Sequence, residues 1–175
     1  MSPTPKRLVD VRRATVADAG ALAQLAETTF TETFGHLYPA DDLAEYISST
    51  YSEAACGAIL ADSRMAYWVA SPEHEPPVGF ALAGHCKLPL QDLEPDAGEL
   101  RQLYVRRTHQ NLRIGARLFE AALTWLDAHY SPLYVGVWSS NVGAQRFYGR
   151  YGFVKVGEYG FAVGRTVDRE FILKR

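Results

Sequence analysis

The sequence predicts one unbroken α/β domain of the α+β type over residues 1–175. Three observations support this fold class. The chain has 175 residues, of which 47% are hydrophobic, so it can bury one sizeable core. Strand-like and helix-like patterns follow one another, with neither an internal repeat nor a low-complexity linker between them. A strand, a polar turn, a long helix and a second strand form a central unit over residues 99–138.

The first third of the chain predicts one strand and two helical stretches. Residues 7–13 form the strand, and Thr15–Asp18 then has the form of a capping box, which begins a helix. That helix carries apolar residues on one face, namely Leu22, Leu25 and Ala26. The second helical stretch covers about residues 41–60 and begins with two aspartates, which suit the positive end of a helix.

The middle of the chain predicts a hairpin followed by a loop, a strand and a helix. Residues 65–70 and 78–84 are rich in β-forming side chains and flank a turn-like segment with three prolines. Residues 86–98 form a loop and residues 99–105 a strand. The helix from Ile114 to His129 keeps its apolar residues at helical spacing.

The last third predicts three strands and one helix. Residues 133–138 form a buried strand, and a helix beginning near Asn141 is ended by Gly152. Residues 153–159 and 167–174 finish the domain as strands. Uncovered edge strands pair readily, so a homodimer that forms through these two terminal strands is an open alternative.

Composition and charge argue against several function classes. The chain has 18 basic and 20 acidic residues and a net charge of −2, so no global positive field attracts nucleic acid. Its two cysteines, Cys56 and Cys86, give neither a disulfide framework nor a zinc motif. The histidines are scattered, so we expect no metal. Because no signal-like or membrane-length apolar run occurs, we expect a cytoplasmic protein without a membrane span.

The polar segment His109–Ala116 lies at the predicted strand-to-helix junction. Backbone N–H groups at the N-terminal end of a helix suit an anion. The segment matches neither G-x-x-x-x-G-K-S/T nor G-x-G-x-x-G with a downstream acid, which excludes two well-known phosphate loops. Spacing alone leaves two interpretations open. Gly115 and Ala116 either serve an anion site or let the helix pack closely on the sheet.

Two segments closely resemble the GNAT superfamily of acyl-CoA N-acyltransferases. The first, "ELRQLYVRRTHQNLRIGARLFEAAL", carries the Q/R-x-x-G-x-G/A signature of that family over Gln110–Gly115. The second, "SSNVGAQRFYGRYGF", carries its N…A…FY…GF pattern between Asn141 and Phe153. The segment "VRRATVADAGALAQLAETTF" also resembles the first strand and helix of the family, so the resemblance covers nearly the whole chain.

The resemblance implies the GNAT fold, a central mixed and mostly antiparallel sheet of about six to seven strands with helices on both faces. It also implies acetyl-CoA as co-substrate, with the pyrophosphate on backbone amides and the pantetheine arm paired with a splayed fourth strand. Arg113 departs from the family pattern, which usually has its first glycine there. An arginine fits if φ is negative, and its guanidinium then contacts a phosphate or faces solvent. The implied coenzyme-binding residues are Leu103, Tyr104, Val105, Gln110, Asn111, Leu112, Arg113, Ile114, Gly115, Ala116, Asn141 and Tyr148.

Acetyl transfer from a thioester to an amine needs a neutral amine, donors for the oxyanion and a proton for the thiolate. Tyr148 has the family-matched position for the acid, and a phenol with a pKa of about 10 stays protonated near neutrality. A core aromatic is the alternative role for Tyr148, and Tyr151 is a less favoured acid. Glu99, at the beginning of its strand, is the predicted base, unless it is a solvent-facing carboxylate. His85 is the second candidate for the base.

The segment "TFTETFGHLYPADDLAEYISSTY" resembles bacterial PaiA-type spermidine/spermine acetyltransferases. The matching residues are Thr29, Phe30, Thr33, Phe34, Asp42, Leu43, Tyr46 and Tyr51. Acidic residues in 41–45 and 92–99 suit a polycation, although a helix N-terminus and a solvated loop explain them equally well. We therefore predict a small primary amine as substrate, with a polyamine as the specific hypothesis. The predicted contacts are Phe30, Phe34, Tyr46 and Glu99.

Two other functions stay open. The first is acetylation of a protein N-terminus or lysine, which needs an open groove for a peptide. The second is a non-catalytic acyl-CoA-binding module that senses the cofactor. Retention of both Tyr148 and Glu99 favours an enzyme.

Overall fold

A seven-stranded sheet forms the centre of the computed structural model, which describes residues 9–175. The strands are β1 Val9–Arg13, β2 Met65–Pro72, β3 Gly79–His85, β4 Gly98–Val105, β5 Leu133–Trp138, β6 Val154–Val163 and β7 Thr166–Lys174. They lie in the order β1-β2-β3-β4-β5-β7-β6. Strands β4 and β5 pair in parallel, whereas the other neighbouring pairs are antiparallel.

Helices cover both faces of this sheet. They are α1 Ala19–Phe34, α2 Ala40–Thr50, α3 Glu53–Ala61, α4 Ile114–His129 and α5 Val142–Gly149. Helices α1, α2 and α3 pack on one face, where Tyr67 of β2 points, and α4 and α5 pack on the other, where Trp68 points. This alternation follows from the two-residue period of a strand. Among these helices none is long and apolar enough to cross a bilayer.

The predicted fold class is confirmed, and most elements occur where the sequence patterns put them. The hairpin of β2 and β3 is antiparallel over Met65–Ala70 and Gly79–Gly84. Helix α4 and strand β5 have the predicted bounds, and β4 differs by one residue. Residues 7 and 8 of the predicted first strand lie outside the described residues. At Thr15, the backbone N–H donates to the Asp18 carboxylate at 2.8 Å, as the capping-box pattern predicts.

The prediction of one helix over residues 41–60 is wrong. Helix α2 ends at Thr50 and α3 begins at Glu53. The hydroxyl of Ser52 accepts a hydrogen bond from the N–H of Ala55 at 3.1 Å, so Ser52 is the N-cap of a new helix. The predicted end of the helix that begins near Asn141 is also wrong, because α5 ends at Gly149 and Gly152 lies in the following turn with φ of 89°.

Strands β4 and β5 separate soon after they begin. They pair over Gly98–Leu100 and Leu133–Val135, and beyond that β5 continues beside β7. On the other side of β4, Leu82 pairs with Gln102 and Ala83 with Leu100, so Arg101 is an extra residue in the ladder. Such a bulge bends its strand, which explains why β4 turns away from β5. The separation leaves a gap in the middle of the sheet.

Candidate active site

A cavity of about 280 Å³ lies at the gap between β4 and β5. Helix α1 contributes Phe30 and Phe34, and α5 contributes Tyr148 from the opposite layer. The strands contribute two carboxylates, Glu99 of β4 and Glu170 of β7. Residues of both helix layers therefore meet in one cavity because no strand pairing closes the sheet there.

The end of β4 offers an open main-chain edge to this cavity. Leu103, Tyr104 and Val105 pair with β3 on one side, and no residue of β5 pairs with them on the other. All three residues line the cavity. An extended ligand can hydrogen-bond to such an edge as an added strand, because the interaction uses main-chain groups.

The turn before α4 is hydrogen-bonded to β4, and its backbone N–H groups have no acceptors among the described residues. The side-chain amide of Gln110 donates to the carbonyl of Val105 at 3.1 Å. Between residues 9 and 175, no carbonyl or side chain accepts from the backbone N–H groups of residues 111–116. Unpaired donors at the N-terminus of a sixteen-residue helix are the kind of group that can hold an anion. The turn therefore fits the pyrophosphate of a coenzyme.

Two residues of the turn have left-handed backbone conformations. Asn111 has φ of 63° and Arg113 has φ of 62°. The expectation that Arg113 has a negative φ is therefore wrong, because the turn keeps the conformation that a glycine would adopt easily. A left-handed conformation costs a residue with a Cβ about 1–2 kcal/mol. The Arg113 side chain is exposed and has no hydrogen-bond partner among the described residues.

Close packing does not explain the glycine at position 115. A Cβ at Gly115 would contact one atom of the protein within 4 Å, the Cγ2 of Val105 at 3.7 Å. That distance is an ordinary van der Waals contact, so the packing of α4 on β4 would accept an alanine. Of the two interpretations left open by the sequence, the anion site is the one that the geometry supports.

Tyr148 lies in the cavity wall at the C-terminal part of α5. Its side chain is 7% exposed, and its ring packs against Phe119 at 5.6 Å and Phe153 at 6.1 Å between centroids. Burial raises the pKa of its phenol above the usual value, which keeps the hydroxyl protonated. Asn141 also lines the cavity and caps α5, since its side-chain oxygen accepts from the N–H of Ala144 at 3.0 Å.

Glu99 is buried rather than exposed to solvent, being 8% exposed. Its Oε2 accepts a hydrogen bond from the N–H of Lys87 at 2.9 Å and lies 3.9 Å from Nε of Arg101. Burial raises the pKa of this carboxyl, although the Lys87 hydrogen bond and the Arg101 charge oppose the rise. One carboxylate oxygen of Glu99 is thus already hydrogen-bonded to the turn after β3.

The two other candidates for proton transfer lie elsewhere. His85 is not part of the cavity wall, and its Nε2 lies 3.3 Å from Nη2 of Arg101. Burial and the Arg101 charge lower the pKa of this histidine. The hydroxyl of Tyr151 donates to Glu120 at 3.0 Å, and Tyr151 does not line the cavity either. The structure therefore brings Tyr148 and Glu99 together, but not His85 or Tyr151.

The predicted substrate contacts form an aromatic group in the cavity. The centroids of Phe30 and Phe34 are 5.1 Å apart, and those of Phe30 and Tyr46 are 5.0 Å apart. All three side chains line the cavity together with Glu99. Aromatic faces attract organic cations, so this group suits an amine.

The acidic residues in 41–45 and 92–99 do not line the cavity, with the exception of Glu99. Asp41 and Asp42 pair with Arg165 at 3.1 and 3.0 Å, and Glu94 pairs with Lys174 at 2.6 Å. Their charges are therefore used in surface ion pairs that join α2 and the 86–98 loop to the last hairpin. Of the acids in these two segments, Glu99 alone lines the cavity.

The polar cavity residues that the sequence analysis missed include Glu170 of β7 and Tyr159 of β6. They are direct neighbours in the antiparallel ladder between these strands. Burial and the nearby Asp168 charge raise the pKa of Glu170 to about 7. No motif marks either residue. The one available signal was the alternation along "DREFILK", which puts Glu170 on the same strand face as the buried Ile172.

Residues 9–175 contain no group of three or more His, Cys, Asp or Glu side chains that could hold a metal ion. Cys56 and Cys86 are both buried and free.

Comparison with known proteins places this geometry in a family. The model of the acetyltransferase (GNAT) family matches residues 21–153. An uncharacterized N-acetyltransferase in the pepI 3′ region of Lactobacillus delbrueckii subsp. lactis is 27% identical over 157 residues, which cover 86% of this chain and 87% of that protein.

Solved structures show the same fold. The PaiA N-acetyltransferase from Thermoplasma acidophilum, in complex with coenzyme A, has a TM-score of 0.75 and 17% identity, covering 96% of this chain and 98% of that one. The ribosomal-protein-S18-alanine N-acetyltransferase from Escherichia coli has a TM-score of 0.68 and 15% identity, covering 95% and 92%. With the family match over residues 21–153, the chain belongs to the GNAT family of acetyltransferases and is an N-acetyltransferase.

Proposed function

We propose that the protein transfers the acetyl group of acetyl-CoA to a primary amine of a small molecule, with a polyamine as the specific hypothesis. The observation that carries this proposal is the cavity at the β4–β5 gap. It joins an open strand edge and the turn before α4 to an aromatic chamber that holds a buried carboxylate, Glu99, and a half-buried one, Glu170. Each part matches one requirement of acetyl transfer to an amine.

The coenzyme supplies the acetyl group as a thioester. The unpaired N–H groups of residues 111–116 fit its pyrophosphate, and the open edge at Leu103–Val105 fits its pantetheine arm. The coenzyme bound to the Thermoplasma acidophilum relative supports this assignment. The remaining proposed coenzyme contacts are Gln110, Asn141 and Tyr148, which line the same cavity.

Tyr148 is the proposed acid for the departing thiolate. Its phenol is protonated near neutrality because burial raises its pKa, so it has a proton to give to the sulfur as the C–S bond breaks. The proton of the amine goes to a carboxylate of the cavity. Glu99 is the candidate that the sequence predicts, and Glu170 is the second carboxylate in the wall.

A small acceptor fits this chamber better than a protein chain does. Phe30, Phe34 and Tyr46 come from α1 and α2, which cover the cavity on one face of the sheet. A lysine in a folded protein would have to enter past this cover, whereas a free alkylamine has no chain on either side. The resemblance of residues 29–51 to PaiA-type enzymes supports a polyamine as the amine to test first.

Steady-state kinetics test the proposal. We expect kcat/KM for spermidine to exceed that for a lysine-containing peptide and for a peptide with a free N-terminus by at least about tenfold. Equal or better turnover of a peptide would favour the protein-acetylating alternative. Binding of acetyl-CoA without turnover of any amine would favour the sensing module. The cytoplasmic location and the homodimer stay predictions, which cell fractionation and light scattering test.

A further inference from the structure

Glu170 and Tyr159 lie over the backbone of β5 at the point where the gap begins. Val135 is the last residue of β5 that pairs with β4, and Gly136 follows it. A methyl group at Gly136 would lie 3.2 Å from the Tyr159 hydroxyl and 3.4 Å from Oε2 of Glu170. Both polar groups thus converge on the place where the open edge of β4 meets the aromatic chamber.

Glu170 differs from the other carboxylates near the cavity in having no partner. Within residues 9–175, no group donates a hydrogen bond to its side chain and no cation pairs with it. Glu99 accepts from the N–H of Lys87, and Asp168 accepts from the hydroxyl of Tyr38. A half-buried carboxylate without a partner is unfavourable, so the position of Glu170 suits a cation that arrives as a ligand.

The titratable groups that interact electrostatically with Glu170 are one acid and four phenols. They come from the segment after α1, from α2, from β4, from β6 and from β7 itself. They are Tyr38, Tyr46, Tyr104, Tyr159 and Asp168. None of them is a cation, so none can neutralise the carboxylate, and an ammonium group of the acceptor would be the complementary charge.

We propose that Glu170 is the catalytic residue that binds the ammonium group of the acceptor and takes its proton. This inference rests on the proposed function. Glu99, with one oxygen engaged by the turn after β3, is then a charged part of the chamber wall rather than the base. The Tyr159 hydroxyl lies over the same residue, Gly136, without a hydrogen bond to Glu170.

The step balances with the groups of this site. Glu170 takes one proton from the ammonium, and the freed nitrogen lone pair forms the C–N bond to the acetyl carbon. The C–S bond breaks with its electron pair on sulfur, and Tyr148 gives its proton to that thiolate. The second proton lost by the nitrogen restores Tyr148 through solvent, and Glu170 releases its proton to water.

The titration of Glu170 agrees with this role. Its pKa is raised to about 7, so near neutrality the carboxylate is a stronger proton acceptor than an ordinary glutamate and is still largely ionised above pH 7. We therefore expect kcat/KM for the amine to rise with pH and to level off above about pH 7.

The test compares Glu170→Gln with two other Glu→Gln variants in the full-length protein. Glu170→Gln keeps the shape of the side chain and removes the proton acceptor. Glu99→Gln tests the competing assignment. Glu158→Gln is the matched control, since Glu158 lies on β6, is exposed, and pairs with Lys155 and Arg169 outside the cavity. Melting curves check that each variant folds.

Three readouts are measured for each variant. They are acetyl-CoA affinity by calorimetry, spermidine affinity of the complex with coenzyme A, and the pH profile of kcat/KM. For Glu170→Gln we expect unchanged acetyl-CoA affinity, at least tenfold weaker spermidine binding, a loss of about 100-fold or more in kcat/KM, and no rise near pH 7. We expect Glu99→Gln to keep the rise of kcat/KM near pH 7, and Glu158→Gln to match the parent in all three readouts.

Two other results have distinct meanings. If Glu170→Gln retains more than a third of the parent kcat/KM, or keeps the rise near pH 7, the assignment of Glu170 is overturned while the proposed function stands. If the parent binds acetyl-CoA but neither binds nor acetylates any amine, the proposed function fails, and the role of Glu170 fails with it.

Discussion

Replacing Gly115 with alanine separates the two explanations of the turn before α4. The structure has room for the added methyl group, which would contact Cγ2 of Val105 at 3.7 Å. Alanine restricts the unfolded chain more than glycine does, so the substitution should stabilise the fold by about 0.4–1 kcal/mol. In a chain of 175 residues that gain raises the melting temperature by about 1–4 °C.

The same methyl group should leave acetyl-CoA binding nearly unchanged. Position 115 is the last position of the Q/R-x-x-G-x-G/A signature, which admits alanine as well as glycine. Alanine also keeps the backbone N–H of residue 115, which lacks an acceptor among the described residues. We therefore expect the Kd for acetyl-CoA to change by less than about twofold, or about 0.4 kcal/mol.

Thermal melting and calorimetric titration measure the two effects in one preparation. Gly57→Ala in α3 is the matched control, because a Cβ there would contact Ala19 at 3.9 Å and Gly57 does not line the cavity. It should raise the melting temperature without changing the Kd. A Gly115→Ala protein that melts lower than the parent would support close packing instead. A Kd that rises by about tenfold or more would contradict the room for a methyl group beside the bound coenzyme.

Three further predictions concern single residues of the site. Arg113→Gly should raise the free energy of unfolding by about 0.5–1 kcal/mol. Glycine relieves the strain of the left-handed conformation, and this gain exceeds the entropy cost of glycine in the unfolded chain. A lower melting temperature than that of the parent would contradict the prediction. Tyr148→Phe should lower kcat by about 100-fold or more, while the Kd for acetyl-CoA stays within about twofold of the parent value. Stopped-flow kinetics and calorimetry measure the two quantities. A retained kcat would show that Tyr148 is not the acid. Glu170 has a folded pKa of about 7, above its ordinary value of 4.5, so its contribution to stability is full below pH 4.5 and is lost as the pH rises towards 7. Relative to the parent, Glu170→Gln should therefore gain about 1–3 kcal/mol of stability between pH 4.5 and pH 8 in urea unfolding, and a constant difference would be inconsistent with the raised pKa.

The turn and helix proposed to hold the coenzyme were predictable because their pattern is local. The turn over residues 109–116 and the helix from Ile114 depend on one short segment, and the structure has that helix with the predicted bounds. Strand β4 was also predictable from its own residues. The conformation of Arg113 was not, since the turn imposes φ of 62° whatever side chain is present.

The acceptor half depends on contacts between distant segments. Glu170 and Tyr159 meet Gly136 because β7 lies between β5 and β6, and that order cannot be read from any one of the three strands. The break between α2 and α3 had a local signal, the N-cap Ser52, but the apolar periodicity on both sides concealed it. Likewise, Asp42 suited a polycation by charge, and its partner Arg165 is more than a hundred residues away.

The most direct test of the proposed function follows binding and turnover in the same sample. Acetyl-CoA is titrated into the purified protein by calorimetry, and the release of free thiol is then recorded after spermidine is added. The account predicts saturable binding of one coenzyme per chain and rapid thiol release that depends on the amine. Binding without thiol release from spermidine or other small amines would contradict the proposed acceptor, and no binding would contradict the coenzyme site at the turn before α4.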